Sequence, residues 1–237
     1  MSITTVKVLA TIALKSVFEG LEPEFARQAG CSIALEFAPP VPAARRVLDG
    51  DSADVVVTTP EQMEGLGERG MIVKQTSRCI ANMLMGVAVR VGDPVPDIGT
   101  VESFRQAVLD APSIVHANPA SSPSAAHFIS VAKRLGIEGV VAGKTTILSG
   151  LVARAVASGE CAMAVQQLAE LMQIDGIRVV GPFPAELQNV LPLSAAVHSK
   201  SSNPVAANTL IDMLASSTVQ DTIEKHGLLR GSAAGSP

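Results

Sequence analysis

The chain has 237 residues, 47% of them hydrophobic and 17% charged, with a formal net charge of -4. That is globular composition, enough for one domain or two smaller lobes with a sizeable core. The negative charge, the absence of Trp and Tyr and the presence of only 6 Phe argue against nucleic acid as a partner and against a site of stacked rings.

Three cysteines, Cys31, Cys79 and Cys161, are odd in number and none is spaced as a metal ligand, so reduced, buried thiols are expected. The opening MSITTVKVLATIAL has one Lys, no long apolar core and no cleavage-site pattern. No apolar run is long enough to span a bilayer, so no membrane insertion is expected. As written, the chain reads as soluble and cytoplasmic; a leader removed beforehand would place it in the periplasm.

The elements alternate. Val6 to Ala10 reads as a buried strand, and Leu14 to Ala29 as an amphipathic helix that Gly30 ends. Ser32 to Phe37 reads as a strand, Ala43 to Leu48 as a short helix, Asp54 to Val57 as a buried strand, and Pro60 to Arg69 as a helix with proline in its first turn. Met83 to Arg90 is a longer apolar strand. Val101 to Asp110 is a helix, Ser113 to Ala117 a strand and Pro123 to Leu135 a helix. Ser149 to Ser158 reads as a helix, Cys161 to Val165 as a strand, Gln167 to Gln173 as a short helix and Val179 to Val180 as a brief strand. Val190 to His198 is again apolar, Val205 to Ala215 and Val219 to Lys225 are helices, and the tail GSAAGSP is expected to be loose.

Alternating strand and helix predicts a mostly parallel sheet with helices on both faces. Ligands then bind beyond the carboxyl ends of the strands. The loops at those ends are ATIAL (Ala10 to Leu14), APPVP (Ala38 to Pro42), TTPEQ (Thr58 to Gln62), ANPASSPSAA (Ala117 to Ala126), TTILSG (Thr145 to Gly150) and VQQLA (Val165 to Ala169). Only TTPEQ carries a carboxylate. Helix starts offer free N–H groups and partial positive charge, which suit a small anion, although ordinary N-caps favour the same residues.

Several stretches resemble the periplasmic molybdate-binding proteins, a type 2 periplasmic binding protein family. They are VLATIALKSVFEGLEPEFARQAG, the G-x-x-A-D-V pattern at Gly50 to Val55, the VVGPFP that closes a strand–helix–strand piece, and AANTLIDMLASSTVQDTIEKHGL. The ATIALKSVFEGLEP stretch with Lys15, together with VVGPFPAELQN, looks closer to a divergent branch that includes aconitate isomerase. The resemblance implies a two-lobed α/β fold with the ligand cleft between the lobes, residues 1–82 and 192–237 forming one lobe and 83–191 the other. Oxyanion-binding members use serines in the first two loops and a tyrosine in the sixth. Here the first loop has Thr11 and Ala13, the second is rich in proline, and Gln166 falls where the tyrosine would be.

The residues expected to touch a ligand are Thr11, Ala13, Lys15, Pro40, Arg45, Thr58, Ser121, Ser122, Ser124, Ser149, Gln166 and Gln188. Lys15, in the first turn of a helix, is electrostatically misplaced unless an anion faces it. Arg45 could pair bidentately with a carboxylate or lie on a solvated face. His116 and His127 flank the serine loop and could serve as a general base or as hydrogen-bonded structural residues. There is no metal-ligand cluster, nucleophile elbow or phosphate loop, and no cofactor is expected. Three functions stay open: a binding protein for a small organic anion, probed first with di- and tricarboxylates; an isomerase of aconitate type; and a sensing module without chemistry. An exported binding protein would have an ABC transporter permease as its partner.

Overall fold

The computed structural model describes residues 4–231. The chain forms two compact units and crosses between them twice, at Met83–Leu84 and at Val190–Leu191.

In the first unit the chain forms β1 (Thr4–Ala10), α1 (Lys15–Ala29), β2 (Cys31–Phe37), α2 (Pro40–Leu48), β3 (Val55–Thr58), α3 (Pro60–Glu68) and β4 (Arg78–Met83). The second unit holds β5 (Met85–Arg90), α4 (Val101–Asp110), β6 (Ile114–Ala117), α5 (Pro123–Arg134), α6 (Glu138–Gly143), β7 (Thr145–Leu148), α7 (Arg154–Ala157), β8 (Met163–Gln167), α8 (Leu168–Leu171) and β9 (Ile177–Pro182). The chain returns to the first unit with β10 (Leu191–Val197), α9 (Pro204–Ala215), α10 (Ser217–Lys225) and β11 (Leu228–Arg230).

Each unit is built on one sheet, with strand order β11-β4-β10-β3-β1-β2 in the first and β7-β6-β8-β5-β9 in the second. Strands β1, β2 and β3 run parallel, as do β6, β7 and β8. Strands β4, β10 and β11 pair antiparallel, and β5 runs antiparallel to both β8 and β9. The expectation of mostly parallel sheet is thus corrected to mixed sheets. The apolar run from Met83 onward is also two strands rather than one, because the chain passes from one unit to the other at its start. The return at Leu191 inserts β10 between β3 and β4, against the direction of β3.

Helix α1 shows why these elements form. Val17, Phe18, Leu21 and Phe25 are buried along one stripe, the spacing of a 3.6-residue period. It stops at Gly30, whose φ of 64° suits a residue without Cβ, and whose N–H reaches Ala26 O at 3.0 Å. In the second unit Phe104, Phe128 and Phe183 gather in one core, with ring centres 4.6 and 6.3 Å apart. Helix α4 opens with a reciprocal cap between Thr100 and Ser103.

The G-x-x-A-D-V pattern has a structural reason. Asp54 is 2% exposed. Its Oδ2 accepts from Lys7 N at 2.9 Å, and its Oδ1 from Ser201 Oγ at 2.6 Å and from Ser202 N at 3.0 Å. One carboxylate therefore holds the turn before α9 against β1. Burial pushes its pKa up, but the hydrogen bonds from Ser201, Lys7 and Asn203 outweigh burial and hold it below the ordinary carboxylate range.

The expected helix from Ser149 to Ser158 is corrected: only Arg154–Ala157 is helical, and it follows strand β7. The TTIL run is β-branched at three positions, and Gly150, with φ 74°, turns the chain away from a helix. Strand β7 is mostly exposed at the sheet edge, so it lacks the buried pattern that marks other strands. Helix α6 and strand β11 had no counterpart in the sequence reading. Residues 232–237, most of the tail read as loose, lie outside the described residues.

Candidate functional site

Parallel strands bring their carboxyl ends to one edge of a sheet. In the first unit that edge gathers the loops after β1, β2 and β3. Thr11 and Ala13 are 3% and 1% exposed. A single 3-10 turn, Ile12–Leu14, carries the chain into α1, with Leu14 N reaching Thr11 O at 3.1 Å. No side chain caps α1 or α2, whereas Thr59 caps α3 by accepting from Gln62 N. The N–H of Lys15, the first in α1, bonds Ile12 O, so the 3-10 turn rather than a side chain satisfies the entry to α1. Pro40 is buried at the start of α2, and its carbonyl accepts from Thr58 Oγ1 at 2.7 Å, so the structure brings these two together.

The cations of this edge have partners on the protein. Lys15 Nζ lies 2.6 Å from Glu19 Oε1, one turn along α1, with both side chains about half exposed. Arg45 Nε bonds Asp49 Oδ2 at 3.0 Å, with the Arg45 side chain 75% exposed, and Arg46 sits between Glu36 and Asp51. Arg45 therefore presents the solvated face weighed above; a ligand at Lys15 would compete with Glu19.

In the second unit the matching edge holds the ends of β6, β7 and β8, with Met85 of β5 directly opposite Gln167. Ser122 caps α5, accepting from Ala125 N at 3.4 Å, and its hydroxyl lies 2.9 Å from that of Ser124. Ser121 and Ser149 are exposed. Gln188 is tied to β5: Oε1 accepts from Met85 N at 2.9 Å and Nε2 donates to Met85 O at 3.0 Å. It clamps the first residue of β5 with one of its two N–H donors. His127 has a comparable structural bond, from Nε2 to Leu187 O at 2.8 Å.

Gln166 and Gln167 are the last two residues of β8, each 4% exposed. Gln166 Nε2 donates to Gly150 O at 2.8 Å, tying β8 to the turn after β7. The Oε1 atoms of both glutamines are sealed from solvent and unpartnered, as is Nε2 of His116. His116 Nδ1 lies 2.7 Å from Ala117 O. That carbonyl can only accept, so Nδ1 donates to it, and in the neutral ring Nε2 is the acceptor. Each buried, unmatched polar atom costs about 1–3 kcal/mol.

Glu170 was not among the expected site residues. It lies on α8, one turn beyond Gln166. The residue keeps some exposed surface, but its carboxyl is enclosed by protein. Burial pushes its pKa up to about 7, against a smaller opposing pull from the Gln166 amide. The sequence carried no signal for it, because Gln166 lies in strand β8 while Glu170 lies on α8, and the helical four-residue spacing does not apply across that junction. Gly86 lets α8 lie close to β5, since a Cβ there would come within 2.7 Å of Leu168 Cδ1 and 3.1 Å of Gly181 O. Among the described residues no group of three or more His, Cys, Asp or Glu could hold a metal ion, and no helix is long and apolar enough to cross a membrane.

The family of bacterial extracellular solute-binding proteins matches residues 6–229. The chain belongs to that family. Aconitate isomerase from Pseudomonas sp. is 29% identical over 231 residues, which cover 95% of this chain and 88% of that protein. The periplasmic molybdate-binding protein of Azotobacter vinelandii superposes with a TM-score of 0.79 at 16% identity, over 96% of this chain and 100% of that one. The sulfate-binding protein of Mycobacterium tuberculosis gives 0.73 at 17% identity, over 95% and 86%. At those identities the two structures speak for the fold, and they agree with the α/β architecture of the family.

Proposed function

We propose that this solute-binding protein takes a small organic anion carrying two or three carboxylates, held by the loops at the carboxyl ends of the parallel strands. The observation that carries the reading is the start of α1. The 3-10 turn that leads into it has no side-chain cap, Thr11 is buried beside that turn, and neither Thr11–Leu14 nor Ala38–Pro39 contains a carboxylate. That arrangement favours a carboxylate over a cation or a neutral apolar ligand. In the first unit the residues that would serve it are Thr11, Ala13, Lys15, Pro40 and Thr58. In the second unit the strand-end residues that would serve such an anion are Ser121, Ser122, Ser124, Ser149 and Gln166. If the chain is exported, an ABC transporter permease is the partner that receives the solute.

A second reading has its own support. The relative named aconitate isomerase acts on a tricarboxylate, and Glu170, with a pKa of about 7, can hold or release a proton near neutrality. In an isomerase of that type one group removes a proton beside a carboxylate, the double bond shifts, and a proton returns at the other end. No oxidant or cofactor is needed. A sensing module would bind the same ligands without turnover.

The test is a thermal-shift panel of malate, citrate, trans-aconitate, sulfate and molybdate. A ligand at about 100 times its dissociation constant adds roughly 2.7 kcal/mol of stability. Stabilisation by polycarboxylates alone supports the reading; stabilisation by sulfate or molybdate alone sinks it. Incubation with trans-aconitate in heavy water, followed by proton NMR, separates binding from isomerisation.

A further inference from the structure

The strand ends of the second unit present hydrogen-bond acceptors that have no proton to accept. The Gln166 amide has a defined orientation, because Nε2 donates to Gly150 O at 2.8 Å. The free end is therefore Oε1, sealed from solvent and without a partner. Gln167 Oε1 and His116 Nε2 are in the same condition. Alternation along β8 puts Gln166 on one face of the sheet and Gln167 on the other, the face that His116 of the neighbouring β6 also shares. The empty acceptors thus flank the end of β8 on both sides. A fully ionised polycarboxylate would bring further acceptors to this edge, oxygen against oxygen. The ligand must carry a proton on oxygen to match it.

We propose that this edge recognises an O–H donor on the ligand, a hydroxyl borne beside its carboxylates, with Gln166 Oε1 as the principal acceptor. The inference rests on the polycarboxylate reading above and narrows it to hydroxylated members of that class. A site that hydrogen-bonds a hydroxyl through a buried group discriminates strongly against the analogue that lacks it, because the buried group is then left unpaired. The geometry assigns Gln166 the same role.

Citrate and tricarballylate differ by one hydroxyl and test this directly by titration calorimetry. At about pH 8, where every ligand carboxyl is ionised, citrate is expected to bind at least about tenfold tighter, the equivalent of 1.4 kcal/mol. Gln166→Met keeps the stem and removes the acceptor; the ratio should then shrink to about twofold or less. A melting curve establishes that the variant is folded, and the ratio on the unaltered chain needs no variant. An undissociated ligand carboxyl is the other source of an O–H. If tricarballylate gains about tenfold on moving to about pH 5, and Gln166→Met removes the gain, the donor is that carboxyl and the acceptor role of Gln166 stands. Equal affinities at both pH values overturn the inference while leaving the polycarboxylate reading intact. Failure of every polycarboxylate to bind removes both.

Discussion

Glu170→Gln is a perturbation whose sign and size follow from the site. The carboxyl of Glu170 has a folded pKa of about 7 against an ordinary 4.5, with burial as the main cause. At about 1.4 kcal/mol per pH unit, that difference amounts to roughly 3 kcal/mol between its two protonation states. The folded value is raised, so the stabilising contribution is complete below about 4.5 and is lost as pH rises through about 7. Glutamine keeps the shape and cannot ionise. Urea titrations of parent and variant from about pH 5 to about pH 8 should therefore show the variant gaining on the parent by up to about 3 kcal/mol. Asp54 and His198 titrate in both proteins, so their contributions cancel in the difference. A parent–variant difference that stays constant within about 0.5 kcal/mol across that range would refute a buried, proton-holding Glu170.

Other perturbations test other parts. Asp54→Asn leaves the N–H groups of Lys7 and Ser202 facing a neutral amide, and should cost about 1.5–3 kcal/mol by urea melt. Because the folded pKa of Asp54 is lowered from 3.8, the stability it supplies is present above that value and lost as pH falls through the folded one, which the variant should not show. Lys15→Met removes an ammonium whose partner Glu19 is half exposed, so folding should change by under about 1 kcal/mol. Binding of a polycarboxylate should weaken by about 1.5–3 kcal/mol if the ammonium turns to the ligand; unchanged binding would leave it a surface residue. Molybdate should bind no tighter than about 1 µM by calorimetry, since the second loop offers prolines for hydroxyls and the chain contains no tyrosine.

The alternation of strand and helix was legible because buried strands such as Val55–Thr58 are continuously apolar and α1 keeps its stripe. Strand direction was not. Met83 and Met85 lie in one apolar run, yet they belong to different units, and nothing in composition marks Leu84 as the point of passage. Strand β7 escaped because an exposed edge strand has no inward face to read. At the site, the hydroxyl and amide character of the loops was visible, but each residue's use was not. Gln188 and Gln166 are the same residue type at comparable junctions. One spends its amide on Met85 and the other leaves an oxygen empty, a difference set by contacts between elements far apart in sequence. Glu170 became conspicuous only once α8 placed it against Gln166.

The central claim is that the strand-end loops bind a small organic polycarboxylate, and titration calorimetry with citrate, trans-aconitate, sulfate and molybdate tests it most directly. The account predicts saturable binding at about 1 µM or tighter for at least one of the two polycarboxylates, with sulfate and molybdate at least about tenfold weaker. Tight binding of sulfate or molybdate, with no heat from either polycarboxylate, would contradict it.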